Sequence, residues 1–198
     1  MIPPPLGLRL TENDYSNPEH TAFTHHGQVC FSTERILVIQ SVADKFIELL
    51  KKKALEFPQT LGVSSKIVKN AFDMLVDAKD KGARFILGEP ERLSEISLAP
   101  TLVTGVTKEM RIWDEETFGP SATVIIVEND ADIVDIVNES NYGLDAFLHT
   151  RDMNRAVNIA RQLEVGRVRV NSPAHEGRLS RNAFPRSMLT RVNSHVPI

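Results

Sequence analysis

Residues 122–127 read Ala-Thr-Val-Ile-Ile-Val, a nearly unbroken run of apolar and β-branched side chains. A run of this kind, without alternating polar residues, predicts a strand that is buried on both faces, as in a parallel sheet covered by helices. The segment 35–40, Arg-Ile-Leu-Val-Ile-Gln, predicts a second buried strand. Further extended segments are predicted for residues 84–87, 100–104, 144–149 and 167–170.

Amphipathic helices are predicted between these strands. Residues 64–81 carry an apolar stripe at helical spacing and precede Gly82, which favours a left-handed helix end. Another helix is predicted from residue 42 to residue 54, with Ser41 and Asp44 in the spacing of a capping box. Two more are predicted over 130–140 and 152–164. The alternation predicts an α/β fold, with three αβα layers around a mostly parallel sheet.

The chain divides by pattern into three parts. Residues 1–20 contain three consecutive prolines and other breakers, which predict an irregular segment. Residues 21–171 hold the alternating strands and helices and are predicted to form one domain. Residues 172–198 lack periodicity and form a basic tail, because 177–198 contain four arginines and no acidic residue. Arginines scattered without aromatic neighbours favour a solvated end over contact with RNA or a membrane surface.

The composition excludes several classes of protein. The 198 residues are 41% hydrophobic and 25% charged, which excludes a wholly disordered chain. The net charge of −3 argues against a general nucleic-acid binder, and the sequence has no apolar run long enough to span a membrane. A single cysteine excludes an internal disulfide, and the adjacent His25 and His26 make poor joint metal ligands. We therefore expect a cytoplasmic protein without a metal site, a nucleic-acid partner or a membrane partner.

The only soft nucleophile is Cys30, within Gly27-Gln-Val-Cys-Phe-Ser-Thr33. A lone cysteine is usually a small buried apolar residue. Here, however, Gly27 permits close backbone approach, and small polar residues surround the thiol instead of an aliphatic stripe. Free backbone amides near a turn or helix start stabilise a thiolate and an oxyanion. We therefore expect Cys30 at the surface, in a turn or at a helix start.

The second unusual segment is Asp114-Glu-Glu-Thr-Phe-Gly-Pro120. It is either a solvated acidic turn that leads into the next strand or a binding element. In the second interpretation a carboxylate grips a ribose hydroxyl and the neighbouring phenylalanine holds a flat ring.

These two segments resemble the two hallmarks of the aldehyde dehydrogenase superfamily, namely Gly27-Gln-Val-Cys30 and Glu115-Glu-Thr-Phe-Gly-Pro120. Asn141-Tyr-Gly-Leu144 and Gly166-Arg-Val-Arg-Val-Asn171 match two further family motifs in the same order. The resemblance covers residues 22–175 and implies the family's α/β catalytic domain.

The resemblance also implies a function and roles for residues. Cys30 resembles the nucleophile that adds to the aldehyde carbonyl to form a thiohemiacetal, with its own amide in the oxyanion hole. Hydride transfer to NAD or NADP then leaves a thioester, which water hydrolyses to the carboxylic acid. Glu116 matches the carboxylate that holds the nicotinamide ribose, and Phe118 matches the aromatic residue beside the nicotinamide. The implied substrate is a small aldehyde.

Ser32-Thr-Glu-Arg35 and His175-Glu176 are most similar to family members that act on aromatic aldehydes such as salicylaldehyde. We expect Glu116 and Phe118 to lie on the same face of the domain as Cys30. Parallel sheets usually gather functional loops at the carboxyl ends of their strands, but Cys30 precedes its neighbouring strand, so this expectation rests mainly on the family resemblance.

Family members are far longer than this sequence. Their dinucleotide-binding domain, their oxyanion-hole asparagine and the Glu-Leu-Gly-Gly segment with the general base precede the cysteine, and an oligomerisation strand comes last. These parts have no counterpart here, so we expect the isolated chain to bind NAD weakly and to be weakly active or inactive. Two alternatives stay open: a catalytically dead domain that associates with a full-length relative, and a thiol esterase that uses Cys30 without a cofactor.

Overall fold

The computed structural model describes residues 18–171. They belong to two compact units, 18–128 and 129–171. The irregular segments predicted at 1–20 and 172–198 lie outside the described residues, except that residues 18–20 begin a helix. The single catalytic domain predicted over 21–171 stays a prediction.

In the unit 18–128, short helices and strands follow one another from residue 18 to residue 127. In chain order they are α1 (Pro18–Phe23), β1 (Arg35–Ile39), α2 (Ala43–Glu56), α3 (Ser65–Asp80), β2 (Arg84–Leu87), β3 (Arg92–Ser94), β4 (Ser97–Leu98), β5 (Thr101–Thr104), α4 (Arg111–Asp114) and β6 (Ser121–Val127). The four longer strands were each predicted within two residues of their observed ends.

The main sheet has the order β1-β6-β5-β2. β6 pairs in parallel with β1 and with β5, while β2 is antiparallel at the edge. The mostly parallel sheet predicted from the sequence is therefore confirmed. Burial of the central strand is less complete than predicted, because residues 121–124 and Val127 are buried whereas Ile126 is 41% exposed.

Helices cover both faces of this sheet, as predicted. On β5, Leu102 packs in a cluster with residues of α1 and α2, whereas its neighbour Val103 packs with residues of α3 and α4. Consecutive side chains on a strand point to opposite faces, so the two clusters lie on opposite sides of the sheet.

Helix ends agree with the sequence in one case and differ in another. The Ser64 side chain caps α3 by accepting a hydrogen bond from the Lys66 amide at 3.2 Å, and Gly82 is left-handed at φ +92°. The capping box predicted from Ser41 and Asp44 is wrong. A 3-10 turn over 40–42 runs directly into α2, so the capping position falls on Val42, whose side chain has no hydrogen-bonding group.

The unit 129–171 contains α5 (Asp130–Glu139), β7 (Asp145–Leu148), α6 (Met153–Ala160) and β8 (Arg167–Val170). β7 and β8 form a parallel two-stranded sheet of their own. Asn129 caps α5 with a full capping box, in which its side chain accepts from the amides of Ala131 and Asp132. Within residues 18–171, every helix falls short of the length and apolar character that a membrane crossing requires.

Candidate active site

Cys30 is exposed and lies in a tight turn. The turn is closed by a hydrogen bond of 2.8 Å from the Ser32 amide to the Val29 carbonyl. The Ser32 hydroxyl donates to the Thr21 carbonyl at 2.8 Å and so ties the turn to α1. Within the described range, the Cys30 amide donates no hydrogen bond. The expected surface position of Cys30 is confirmed, and its amide is available as a donor.

The chain reaches this turn through three consecutive left-handed residues, His25 (φ 51°), His26 (φ 62°) and Gly27 (φ 72°). At Gly27 the backbone also passes very close to Gly119. A Cβ added to Gly27 would lie 1.9 Å from the Gly119 carbonyl oxygen, where no side chain fits. Glycine is therefore required at residue 27 both by the backbone conformation and by the contact.

Of the adjacent histidines, His26 is an internal anchor of this segment. Its side chain is fully buried, its Nε2 accepts a hydrogen bond from the Leu98 amide at 3.2 Å, and its Nδ1 lies 3.3 Å from the Thr60 hydroxyl. Burial lowers the pKa of His26. An amide donor at Nε2 assigns the neutral tautomer with its proton on Nδ1. His26 thus fixes the chain before Gly27, whereas His25 is exposed.

The second predicted segment is held against the first by Gln28. The Gln28 Nε2 donates to the Phe118 carbonyl at 3.2 Å, and its Oε1 accepts from the Val63 amide at 2.8 Å. Phe118 itself is left-handed at φ 47°, which costs a non-glycine residue roughly 1–2 kcal/mol. That conformation persists because hydrogen bonds hold both the amide and the carbonyl of Phe118.

Glu34 makes the second connection between the two segments. Its carboxylate accepts hydrogen bonds from the Thr117 hydroxyl at 2.9 Å, the Thr117 amide at 3.2 Å and the Phe118 amide at 3.4 Å. In the sequence, Glu34 stands out only as part of a family-like motif, and this role was not predicted. An acidic residue immediately before a buried strand was the available signal.

Burial raises the pKa of the Glu34 carboxyl to about 7. The hydrogen bonds from Thr117 and Phe118 act in the opposite direction, and the nearby carboxylate of Glu116 adds to the increase. Glu34 therefore titrates near neutral pH, inside the contact between the two segments.

Glu116 is partly buried, and burial raises the pKa of its carboxyl. Among residues 18–171, no side chain or amide donates a hydrogen bond to this carboxylate. A partly desolvated acceptor without a protein donor suits the vicinal hydroxyls of a ribose, and the partly buried Phe118 is two residues away. These residues fit one end of a nicotinamide nucleotide.

The two segments meet at the amino-terminal ends of the parallel strands β1 and β6. Cys30 precedes β1, and Glu116 and Phe118 precede β6, which is the parallel neighbour of β1. Residues that flank Cys30 contact residues that flank Glu116, so the expectation that these groups lie on one face is supported. The general placement at carboxyl ends of strands does not apply, because both loops enter their strands.

Comparison with known proteins identifies, over nearly the whole chain, the family that the sequence motifs resemble. The sequence model of the aldehyde dehydrogenase family matches residues 12–184. A salicylaldehyde dehydrogenase from Pseudomonas sp. (strain C18) is 37% identical over 162 residues, which are 76% of this chain and 33% of that protein. A vanillin dehydrogenase from Pseudomonas sp. (strain HR199) is 37% identical over 163 residues, 77% of this chain and 33% of that protein.

Solved structures show the same fold. The NADP complex of an NADP-dependent glyceraldehyde-3-phosphate dehydrogenase from Bacillus halodurans matches with a TM-score of 0.76 and 32% identity, over 82% of this chain and 36% of that one. The NAD⁺ complex of a betaine aldehyde dehydrogenase from Staphylococcus aureus matches with a TM-score of 0.74 and 27% identity, over 80% and 34%. This chain therefore spans about a third of the length of its relatives.

Proposed function

This chain belongs to the aldehyde dehydrogenase family, and we propose that its residues serve the NAD(P)-dependent oxidation of an aldehyde to a carboxylic acid. In this proposal Cys30 is the nucleophile, and Glu116 and Phe118 hold the nicotinamide end of the cofactor. One observation carries the proposal: an exposed thiol lies in a turn whose neighbours are hydrogen-bonded to the loop that bears Glu116 and Phe118.

The thiol chemistry follows from the turn. The Cys30 thiolate adds to the carbonyl carbon of the aldehyde, a carbon–sulfur bond forms, and the carbonyl π electrons move to oxygen. The Cys30 amide then donates to the new oxyanion, since no described residue accepts that hydrogen. The product of this addition is a thiohemiacetal on Cys30.

The cofactor role rests on the partly buried acceptor and the ring beside it. The Glu116 carboxylate would accept hydrogen bonds from the ribose hydroxyls, and Phe118 would hold the flat base. A bound nicotinamide supplies a hydride acceptor. Relatives of known structure form complexes with NADP and with NAD⁺, so either dinucleotide is a candidate.

Aromatic aldehydes are the proposed substrate class. Two relatives with 37% identity are a salicylaldehyde dehydrogenase and a vanillin dehydrogenase. Both act, by name, on hydroxylated benzaldehydes. We propose the cytoplasm as the compartment, because a chain with a single cysteine forms no internal disulfide.

The 198-residue chain is expected to bind NAD poorly by itself. One carboxylate and one ring contribute only a few kcal/mol, while association costs at least about 4 kcal/mol. Dissociation constants in the millimolar range or weaker follow. A calorimetric titration that gave a micromolar constant would contradict this expectation.

The nucleophile is tested by aldehyde protection of the thiol. Because Cys30 is the only cysteine, each iodoacetamide adduct detected by intact mass reports that residue alone. Salicylaldehyde or vanillin should slow the labelling, because the thiohemiacetal removes the free thiolate. The matching benzyl alcohols, which lack the carbonyl, should leave the labelling rate unchanged.

Glutathione serves as the reference thiol. Cys30 should be protected at lower aldehyde concentrations than glutathione, since the turn supplies an oxyanion donor. Equal protection of both thiols, or equal effects of aldehyde and alcohol, would overturn the nucleophile proposal. Turnover of p-nitrophenyl acetate that Cys30→Ser abolishes, without aldehyde protection, would instead favour the thiol esterase.

A further inference from the structure

The carboxylate of Glu34 occupies an unfavourable place for a charged group. It is desolvated, the described residues that bond to it are neutral donors, and the charge of Glu116 is nearby. Burying a carboxylate without a cation costs free energy unless hydrogen bonds replace the lost water. Such placements occur more often at functional sites than in ordinary cores.

The backbone of Glu34 is also fixed. Its carbonyl accepts from the Thr123 amide at 2.9 Å and from the Thr123 hydroxyl at 3.1 Å, so Glu34 is joined to β6. Its side chain returns to Thr117 and Phe118, in the loop that enters the same strand. Glu34 therefore connects the end of the Cys30 turn to both the loop and the strand that follows it.

The hydroxyl of Thr117 requires an acceptor in this position. Thr117 Oγ1 already accepts from the Ser121 hydroxyl at 3.0 Å and from the Gly119 amide at 3.4 Å. Its own hydrogen is then directed to Glu34 at 2.9 Å. A hydroxyl has one hydrogen and two lone pairs, so this network is complete only with an accepting group at residue 34.

We infer that Glu34 is a positioning residue, which holds the loop of Glu116 and Phe118 in register with the Cys30 turn through Thr117 and the Phe118 amide. The purpose of this positioning, which is to align the nucleophile with the cofactor-binding residues, rests on the proposed function. The connection between Glu34 and the loop rests on the hydrogen bonds alone. Without Glu34, the left-handed Phe118 keeps only the bond from Gln28 to its carbonyl.

The test is amide hydrogen exchange and NMR of the full chain, which need neither cofactor nor turnover. Glu34→Ala should accelerate exchange at Thr117 and Phe118 by roughly fivefold to thirtyfold, as expected for one or two lost hydrogen bonds. Glu34→Gln keeps an accepting oxygen and should restore most of the protection. Glu89→Gln is the matched control, since Glu89 is an exposed carboxylate paired with Lys79, and it should leave both amides unchanged.

A pH titration separates positioning from general destabilisation. In the wild type, the Thr117 and Phe118 amide shifts should titrate together near neutral pH, and Glu34→Gln should abolish that titration while the chain stays folded. The other charged or titratable groups nearby are Glu116, Cys30 and Arg35, whose guanidinium bonds to the Trp113 carbonyl and lies over its ring. Cys30→Ser should preserve the titration, and Glu116→Gln should preserve it at a lower pKa, because the charge of Glu116 raises the pKa of Glu34.

Each result decides the inference. Unchanged exchange in Glu34→Ala, or a titration that persists in Glu34→Gln, would overturn it. If Glu34→Ala does not fold, the Glu34→Gln titration decides alone. Failure of aldehyde protection in the wild type would remove the proposed function, but it would leave the measured connection between Glu34 and the loop intact.

Discussion

Gly27→Ala tests how tightly the two segments are packed. The added methyl would lie 1.9 Å from the Gly119 carbonyl oxygen, 2.5 Å from its carbon and 3.1 Å from the Ala22 carbonyl oxygen, whereas real Cβ contacts essentially never fall below 3.0 Å. All three atoms belong to the backbone, so no side chain can rotate away. The loop at 118–119 must shift or the turn must rearrange.

The cost has two parts. A left-handed alanine costs roughly 1–2 kcal/mol. A shift of the loop also breaks the hydrogen bonds of Phe118 with Gln28 and Glu34, each worth about 1 kcal/mol net. We therefore expect Gly27→Ala to lower the free energy of unfolding by about 3–4 kcal/mol, which is a large share of the roughly 5–15 kcal/mol typical of a domain.

Gly82→Ala is the matched control. Gly82 is left-handed at φ +92°, but a Cβ there would meet no atom within 4 Å. Gly82→Ala should lower the free energy of unfolding only by the cost of a left-handed alanine, about 1–2 kcal/mol. Urea unfolding followed by the fluorescence of Trp113, the single tryptophan, reports on the unit 18–128 that contains both glycines. Equal losses in the two variants would refute the argument that Gly27 is required by contact with Gly119.

Two further changes test the surroundings of the site and the second unit. The folded state keeps His26 neutral with a lowered pKa, so the contribution of His26 to stability should fall as pH drops below about 6.5, where the unfolded chain gains a proton first. The raised pKa of Glu34 acts in the opposite direction over the same range, so the contribution of His26 is measured as the difference between two urea stability curves, wild type and His26→Asn, whose asparagine tolerates the left-handed backbone. A difference that does not change with pH would contradict the role given to His26. Asn129→Ala should lower the free energy of unfolding by about 1 kcal/mol through loss of the α5 cap, while Asn129→Ser should recover most of it; circular dichroism during urea unfolding measures both.

The long periodic elements of the fold were predictable because local pattern alone determines them. α3 shows this well: its apolar stripe, the Ser64 cap and the left-handed Gly82 are all visible in the sequence. α1, with six residues, and the β3–β4 hairpin, with strands of three and two residues, were missed. Elements this short give no period to detect, and tertiary contacts decide their conformation.

The candidate site was predictable only in its parts. Cys30, Glu116 and Phe118 came from unusual local composition and from the family resemblance. The place of Glu34 before a buried strand could have marked it as unusual, but its role was not predictable, because its partner Thr117 is distant along the chain and a sequence pattern does not report which distant segments meet. The usual placement of functional loops could not locate the site within the sheet, since it refers to loops that leave strands and Cys30 precedes its strand.

The pairing register of β1 and β6 explains why Glu34 reaches the loop of Thr117 and Phe118. Arg35 pairs with Thr123, which places Glu34 beside the start of β6 and turns its side chain toward Thr117. A slip of one residue would send that side chain to the opposite face of the sheet. On the other side of Cys30, the backbone of Gly27 passes so close to the Gly119 carbonyl that a Cβ there would lie 1.9 Å from its oxygen. Two features therefore fix the position of the Cys30 turn relative to the loop of Glu116 and Phe118. They are the hydrogen-bonded carboxylate of Glu34 and the absence of a side chain at Gly27. Gly27→Ala already breaks the hydrogen bond between the Phe118 amide and Glu34. A double variant of Gly27 and Glu34 should therefore lose less loop protection than the two single losses combined, and fully additive losses in amide exchange would contradict this coupling.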